Sequence, residues 1–261
     1  MSVHSAIVKF FVPVTCERAV QTLSVVLGAR HYLREGHWHG MFQKVLRDIG
    51  IVPLFDGSTA VNLNIISAQL PALCDTDPSR AIADRLRPVF NMAAPVPPFE
   101  PARLALFNKG DHDVVQVIPQ LDQWINRVKD EGSAEAQLLE DLGSRIHELQ
   151  TQYAMFKSTV TQSRNAARQS RGQTSEMFEM ARRYCILHAA AASVLLWVES
   201  RHVLGDFFAR GEWLELALDR LLGLLRPKWA IAPSRYSDAV WTELVQRFNK
   251  RTLFCVVPLQ L

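Results

Sequence analysis

Leu138, Leu142, Ile146, Leu149, Tyr153, Phe156 and Val160 follow one another at intervals of three or four residues. Such intervals return to the same side of an α-helix at every turn, so these side chains form one apolar stripe. A stripe this long on one helix must be covered by other helices, as in an antiparallel bundle of coiled-coil-like spacing. Its neighbours carry the same period. Val114, Val115, Ile118, Leu121, Ile125 and Val128 share a face. Residues 174–203 predict a more apolar helix, suited to the centre of the bundle. Phe207 to Leu225 predicts a further helix ended by Pro227, and Ser237 to Lys250 another. No strand pairs and no internal repeats are visible, so the expected class is all-α.

The N-terminal part is also helical by period. A helix is expected after Pro13, running through Gln21 to Leu27 and ended by Gly28. A loop rich in His, Gly and aromatics (His31 to Gly40) follows, then a short helix near Phe42 to Ile49. The turn Phe55-Asp56-Gly57-Ser58-Thr59 leads into a helix over Ala60 to Leu70. Pro78, Pro88, Pro95, Pro97, Pro98 and Pro101 then change the character of the chain, because proline lacks the donor that a helix interior needs. The expected organisation is residues 1–73 as a first helical unit, 74–101 as a Pro-rich linker holding a short helix near Ser79 to Phe90, and 102–261 as a second bundle.

The 261 residues are 48% hydrophobic and 21% charged, which suits a packed chain. The net charge of +3 is too small to point to nucleic acid or a membrane surface as partner. Cys16, Cys74, Cys185 and Cys255 are scattered without a CxxC, and are read as reduced thiols in a cytoplasmic protein. The most apolar window, Cys185 to Val198, is shorter than the ~20 residues of a membrane span. His31, His37 and His39 have no ligand spacing for zinc, so no metal is expected. His188 reads as a core histidine, Arg164, Arg168 and Arg171 as a solvated basic face, and Arg47–Asp48 as a structural ion pair. Trp197, Trp213, Trp229 and Trp241 are expected to fill the core or its rim.

The turn at 55–59 carries the functional question. Asp56 stands ahead of a helix and is followed by Gly57 and two hydroxyl residues. That pattern serves a helix cap equally well as a carboxylate held at the rim of a pocket.

The stretch from Ala6 to Leu70 resembles the C-terminal helical domain of acyl-CoA dehydrogenases. The resemblance lies in the order of a helix entering Leu27-Gly28-Ala29, the pair Arg47-Asp48 on a short helix, and the turn Phe55-Asp56-Gly57-Ser58-Thr59 where the family has aromatic-Glu-Gly-Thr-Ser. It covers about a quarter of the chain; the remainder is similar to the helical extension of long bacterial members. The resemblance implies flavin chemistry: a base removes the Cα proton of an acyl thioester while the Cβ hydride passes to the flavin. It implies Asp56 as that base, Gly57 and Ser58 beside the flavin ring, and Gly28 near its dinucleotide.

The chain also departs from the family pattern. Asp is one methylene shorter than Glu, a loss of reach to which proton transfer is sensitive. Val25 stands where the family has Gln, and Ala29 and His31 stand where it has glycines. Neither the family's N-terminal helical domain nor its middle β-domain is expected within these residues. The expected cofactor is therefore FAD shared with a partner chain. The expected partner is an N-terminal/middle-domain half or a homo-oligomer, and the substrate an acyl thioester. The rival expectation is a non-catalytic helical interaction module or a relict of such an enzyme.

Overall fold

The computed structural model describes residues 3–36, 38–55, 57–75, 80–96, 98, 100–101, 113–132, 134–167, 175–226 and 233–252. Helices α1 (Val3–Leu27), α2 (Met41–Ile49), α3 (Thr59–Asp75) and α4 (Arg80–Phe90) come first, joined by short 3-10 turns. Helices α5 (Asp113–Gln116), α6 (Leu121–Asp130), α7 (Ala136–Ala167) and α8 (Ser175–Ser200) follow. The series ends with α9 (Asp206–Arg210), α10 (Glu212–Gly223) and α11 (Ser237–Asn249). The described residues are 82% helical and include no strand, so the chain is all-α.

The stripe from Leu138 to Val160 is buried along its whole length on α7. It packs against α6, α8 and α10. Helix α8 is the hub, touching α1, α3, α4, α5, α6, α7 and α10. Its composition explains this position: Ala181, Ala190 and Ala191 have no side chain beyond Cβ and are fully buried, so neighbours approach its backbone closely. The thiols of Cys74 and Cys185 lie in this core, and burial pushes both up to about 12, which keeps them protonated and unreactive. Cys16 is exposed.

Three local expectations change. Helix α1 starts at Val3 and passes through Pro13 instead of starting after it. Proline removes one hydrogen bond, but Val3, Ala6, Ile7 and Phe10 are buried, and that burial outweighs the break. The single helix expected over 207–225 is two, because Gly211 adopts φ +87° between α9 and α10. Asp48 pairs with Lys44, not Arg47: residues i and i+4 share a helix face, whereas adjacent residues point apart.

Across the Pro-rich stretch, α4 lies against α8. Buried Ser200 donates from Oγ to the carbonyl of Phe90 at 2.5 Å and accepts from the N–H of Met92 at 2.9 Å. Helix α3 packs on α1, α7 and α8, so buried residues form one cluster from Val3 to Tyr236.

The helical stretch Val3–Tyr32 is long and apolar enough to cross a membrane by length and composition, and 6% of its most apolar window is buried. Val12, Leu23, Val25 and Val26 are exposed on it.

His188 on α8 meets His4 on α1 edge to face, ring centroids 5.8 Å apart. Burial, with a smaller contribution from His4, pushes the His188 imidazole from 6.5 down to about 4. Between those values the unfolded chain binds a proton at this residue that the folded chain does not. Stability is therefore complete above the upper value and is lost as pH falls through the window, by roughly 2–3 kcal/mol at this one site. Urea midpoints from pH 7 to pH 4 should fall less steeply in His188→Leu than in the natural chain. Parallel slopes would show that His188 charges as easily folded as unfolded.

Candidate functional site

The turn before α3 is held by its own polar groups. Gly57 has φ +96°, a conformation suited to a residue without Cβ. Its carbonyl accepts from the Asn62 side-chain amide at 2.8 Å. The Ser58 carbonyl accepts from the same amide at 3.1 Å and from the Asn62 backbone N–H at 3.0 Å. Ser58 Oγ accepts from the N–H of Val61 at 3.4 Å, which is the bond of an N-cap. Ser58 thus fills the capping role that the sequence alone could have given to Asp56. Asp56 itself lies outside the described residues, as do His37, Trp229, Arg168, Arg171 and Cys255. Asn62 is 1% exposed and is the residue that sequence reasoning missed. Its signal was an amide one turn into the helix, within reach of the two carbonyls that precede the helix.

Beside this turn is a cavity of about 480 Å³, lined by residues from α1, α3 and α8 and by Leu224 just beyond α10. Thr59, which directly follows Ser58, lines it together with Thr15. Phe10, Phe11, Val14 and Ile186 form apolar wall. Arg18 and Arg182 bring positive charge, and Glu179 lies 3.4 Å from Arg182. The volume is within the ~300–1,000 Å³ usual for small-ligand sites. A lining that mixes aromatic and aliphatic side chains with hydroxyl, guanidinium and carboxylate groups offers a small ligand both apolar contact and charge.

Of the turn, Thr59 lines this cavity; Gly57, Ser58 and Gly28 are not among its lining residues. Gly28 follows the last residue of α1, ten residues beyond Arg18, or roughly 15 Å along the helix axis. It has φ +57°, with nothing within 4 Å of where a Cβ would be. Its carbonyl accepts from Nδ1 of His31 at 2.7 Å, and His31 meets Tyr32 edge to face. This histidine therefore secures the end of α1. Among the described residues, no group of three His, Cys, Asp or Glu side chains gathers as a metal would require.

The segment that precedes the turn carries exposed apolar side chains. Phe55, Leu54, Ile51, Val52, Met41 and Trp38 are all exposed. A second groove, about 560 Å³, lies between α6 and α7 and includes no residue of α1 or α3. Its lining mixes Lys129, Glu140 and His147 with Ile125, Leu139 and Ile146, and is unrelated to the turn.

No family model, no curated protein and no solved structure matches this chain.

Proposed function

We propose that this chain is one component of an acyl-CoA dehydrogenase-like, flavin-dependent oxidoreductase, active together with a partner chain. One observation carries the reading. The residues on either side of Asp56, Phe55 and Gly57, are exposed, and Thr59, two residues beyond Gly57, lines an open cavity of mixed apolar and polar walls. A carboxylate at a lone helix cap needs neither the cavity nor the exposed aromatic and aliphatic residues around it. A wall awaiting its partner needs both.

Residues 6–70 supply the rest of the support through their resemblance to the family's C-terminal helices. The cavity is suited to an acyl group or one ring system, and a dinucleotide would have to extend onto the partner. The flavin would supply the hydride acceptor. The chain's own part would be the Asp56 carboxylate as proton acceptor, with Gly57 and Ser58 keeping the turn close to the ring and Asn62 holding both in place. Desolvation by the partner would give Asp56 the dry environment in which general-base catalysis is effective.

Co-expression with an N-terminal and middle-domain half from the same host should give a yellow complex that oxidises an acyl thioester with dye reduction. Asp56→Asn should abolish dye reduction and leave the flavin bound. Colourless chains that do not associate would end the reading, and undiminished turnover in Asp56→Asn would remove Asp56 from it.

The non-catalytic module is the second reading. It is favoured by Val25, Ala29 and His31 at family Gln and Gly positions, and by the shorter acid at position 56. A partner bound tightly by the apolar face, with no flavin in the complex, would establish it.

A further inference from the structure

Among the described residues between Phe10 and Asn62, none is buried. Helix α1 carries the chain out of the bundle beyond Phe10, α2 lies back against α1, and α3 re-enters the core at Asn62. The lobe so formed is helical over most of its length and has no core of its own. Ordering a chain costs backbone entropy at every residue, and apolar burial is what offsets that cost. A lobe of this kind gains its burial from a surface outside the molecule.

Its residues indicate which surface. Leu23 and Val25, two positions apart, lie on opposite sides of α1, and both are exposed, Val25 by 80%. Apolar side chains therefore reach water on more than one side, unlike the single stripe that a helix lays into a protein groove. The stretch Val3–Tyr32 has the length and apolar composition that a bilayer accepts. Beyond it the backbone is left-handed at Gly36, Trp38, His39 and Gly40. That conformation is strained for a side chain as bulky as Trp38, whose indole is 66% exposed. Tyr32 and Leu33, on the same outward turn, are exposed too. Aromatic rings with a polar edge concentrate where water meets acyl chains.

Charge decides between a bilayer and a second copy of the chain. Residues 23–48 contain Arg30, Arg34, Lys44 and Arg47 against Glu35 and Asp48, which is +2 of the chain's +3. Lys44 is paired with Asp48, and the three guanidinium groups belong to exposed residues. Two copies meeting here about a two-fold axis would bring these cations together, whereas anionic headgroups neutralise them.

We propose that the tip of this lobe, around Tyr32, Leu33 and Trp38, seats the protein on an anionic lipid bilayer. The contact is peripheral, because Val3, Ala6, Ile7 and Phe10 keep the start of α1 in the protein core. Apolar side chains enter the acyl boundary while Arg30, Arg34 and Arg47 meet headgroups. This inference is independent of the flavin reading.

The full chain, without flavin or partner, is floated with vesicles of phosphatidylcholine alone or mixed with phosphatidylserine. Binding to the anionic vesicles should exceed binding to the neutral ones roughly tenfold and should fall as salt is raised. Trp38→Ala and Arg34→Glu should each weaken it by roughly fivefold or more, with helix content unchanged. Trp241→Ala, which removes an equally exposed indole on α11, should leave it unchanged. Absence of binding, equal binding to both vesicle types, or equal losses in Trp38→Ala and Trp241→Ala would overturn the proposal. So would a dimer in solution that depends on Trp38 without vesicle binding, since the tip would then belong to a second copy.

Discussion

Gly211→Ala is expected to lower stability by about 3–5 kcal/mol. Gly211 ends α9 and starts α10, and its carbonyl accepts the first bonds of α10 from Leu214 at 2.9 Å and Glu215 at 3.3 Å. Its φ of +87° is strained for any residue with a Cβ, which adds about 1–2 kcal/mol. A Cβ there would also lie 2.9–3.0 Å from three atoms of the Trp197 indole. The indole cannot retreat. It is fully buried, and its N–H donates to the carbonyl of Ala209 at 3.1 Å. Next to it, Trp213 stacks on Phe208 and donates to that residue's carbonyl at 3.1 Å, so both indoles hold the short α9 in place. Overpacking against so fixed a ring contributes the remaining ~2–3 kcal/mol. Gly143→Ala in the interior of α7 is the matched control. Nothing lies within 4 Å of its Cβ position, and the backbone there is helical, so that change should stabilise by about 0.5–1 kcal/mol. Urea unfolding of the two variants should move in opposite directions. A Gly211→Ala chain within about 1 kcal/mol of the natural one would mean that the indole is free to move.

The contrast between these two glycines shows what was legible in the sequence. The stripe on α7 is local information: seven side chains at helical intervals identify the buried face without knowledge of the partner, and all seven are buried. The central place of α8 is legible for the same reason, from its apolar composition. Gly211 is a break of a different kind. Its neighbours continue a helical period, and the reason for its conformation, the Trp197 ring, comes from fourteen residues away on another helix. Pro13 shows the reverse error. Local propensity makes it a boundary, whereas packing of Val3 to Phe10 extends the helix across it. Trp241 was expected in the core or at its rim and is exposed, because helical spacing shows that a face exists but not what it meets.

The site was legible to a lesser degree. The helix after the turn begins at Thr59, one residue before the expected Ala60, and runs to Asp75 instead of Leu70. Which hydroxyl or carboxylate caps that helix was open, and Ser58 is the one that does so among the described residues. The cavity could not be read, since Phe10, Arg18, Thr59, Arg182 and Leu224 come from segments far apart in sequence. Gly28 was placed near a dinucleotide only through the family resemblance, and the length of α1 separates it from the cavity.

The second large effect concerns a charge cluster where α7, α10 and the segment before α11 meet. Arg145 on α7 reaches two carboxylates of α10, Glu215 at 2.9 Å and Asp219 at 3.0 Å. Glu215 is 4% exposed, and its other oxygen accepts from Ser234 Oγ at 3.1 Å. Arg226 forms a two-pronged pair with Glu148, at 2.7 and 2.6 Å, and the Arg226 hydrogen bond draws the Glu148 carboxyl below the usual range. Asp141 accepts from the Tyr236 hydroxyl at 2.6 Å; burial above all, with this bond added, raises that phenol. The cluster thus joins three parts of the chain through groups that are individually satisfied. Among the described residues, Arg145→Ala leaves Glu215 charged, buried and held only by a serine, and Asp219 with Arg226 alone, 3.7 Å away. Breaking a buried pair from one side costs about 3–5 kcal/mol; because Arg145 remains about a quarter open to water, the lower end is expected here. Arg145→Met combined with Glu215→Leu removes both charges and should recover most of the loss, since an apolar replacement has no stranded ion to desolvate. A four-corner urea cycle over these two positions measures it. If the double variant were as unstable as the sum of the singles, the two residues would not be coupled, and the hold of α10 on α7 would not depend on this pair.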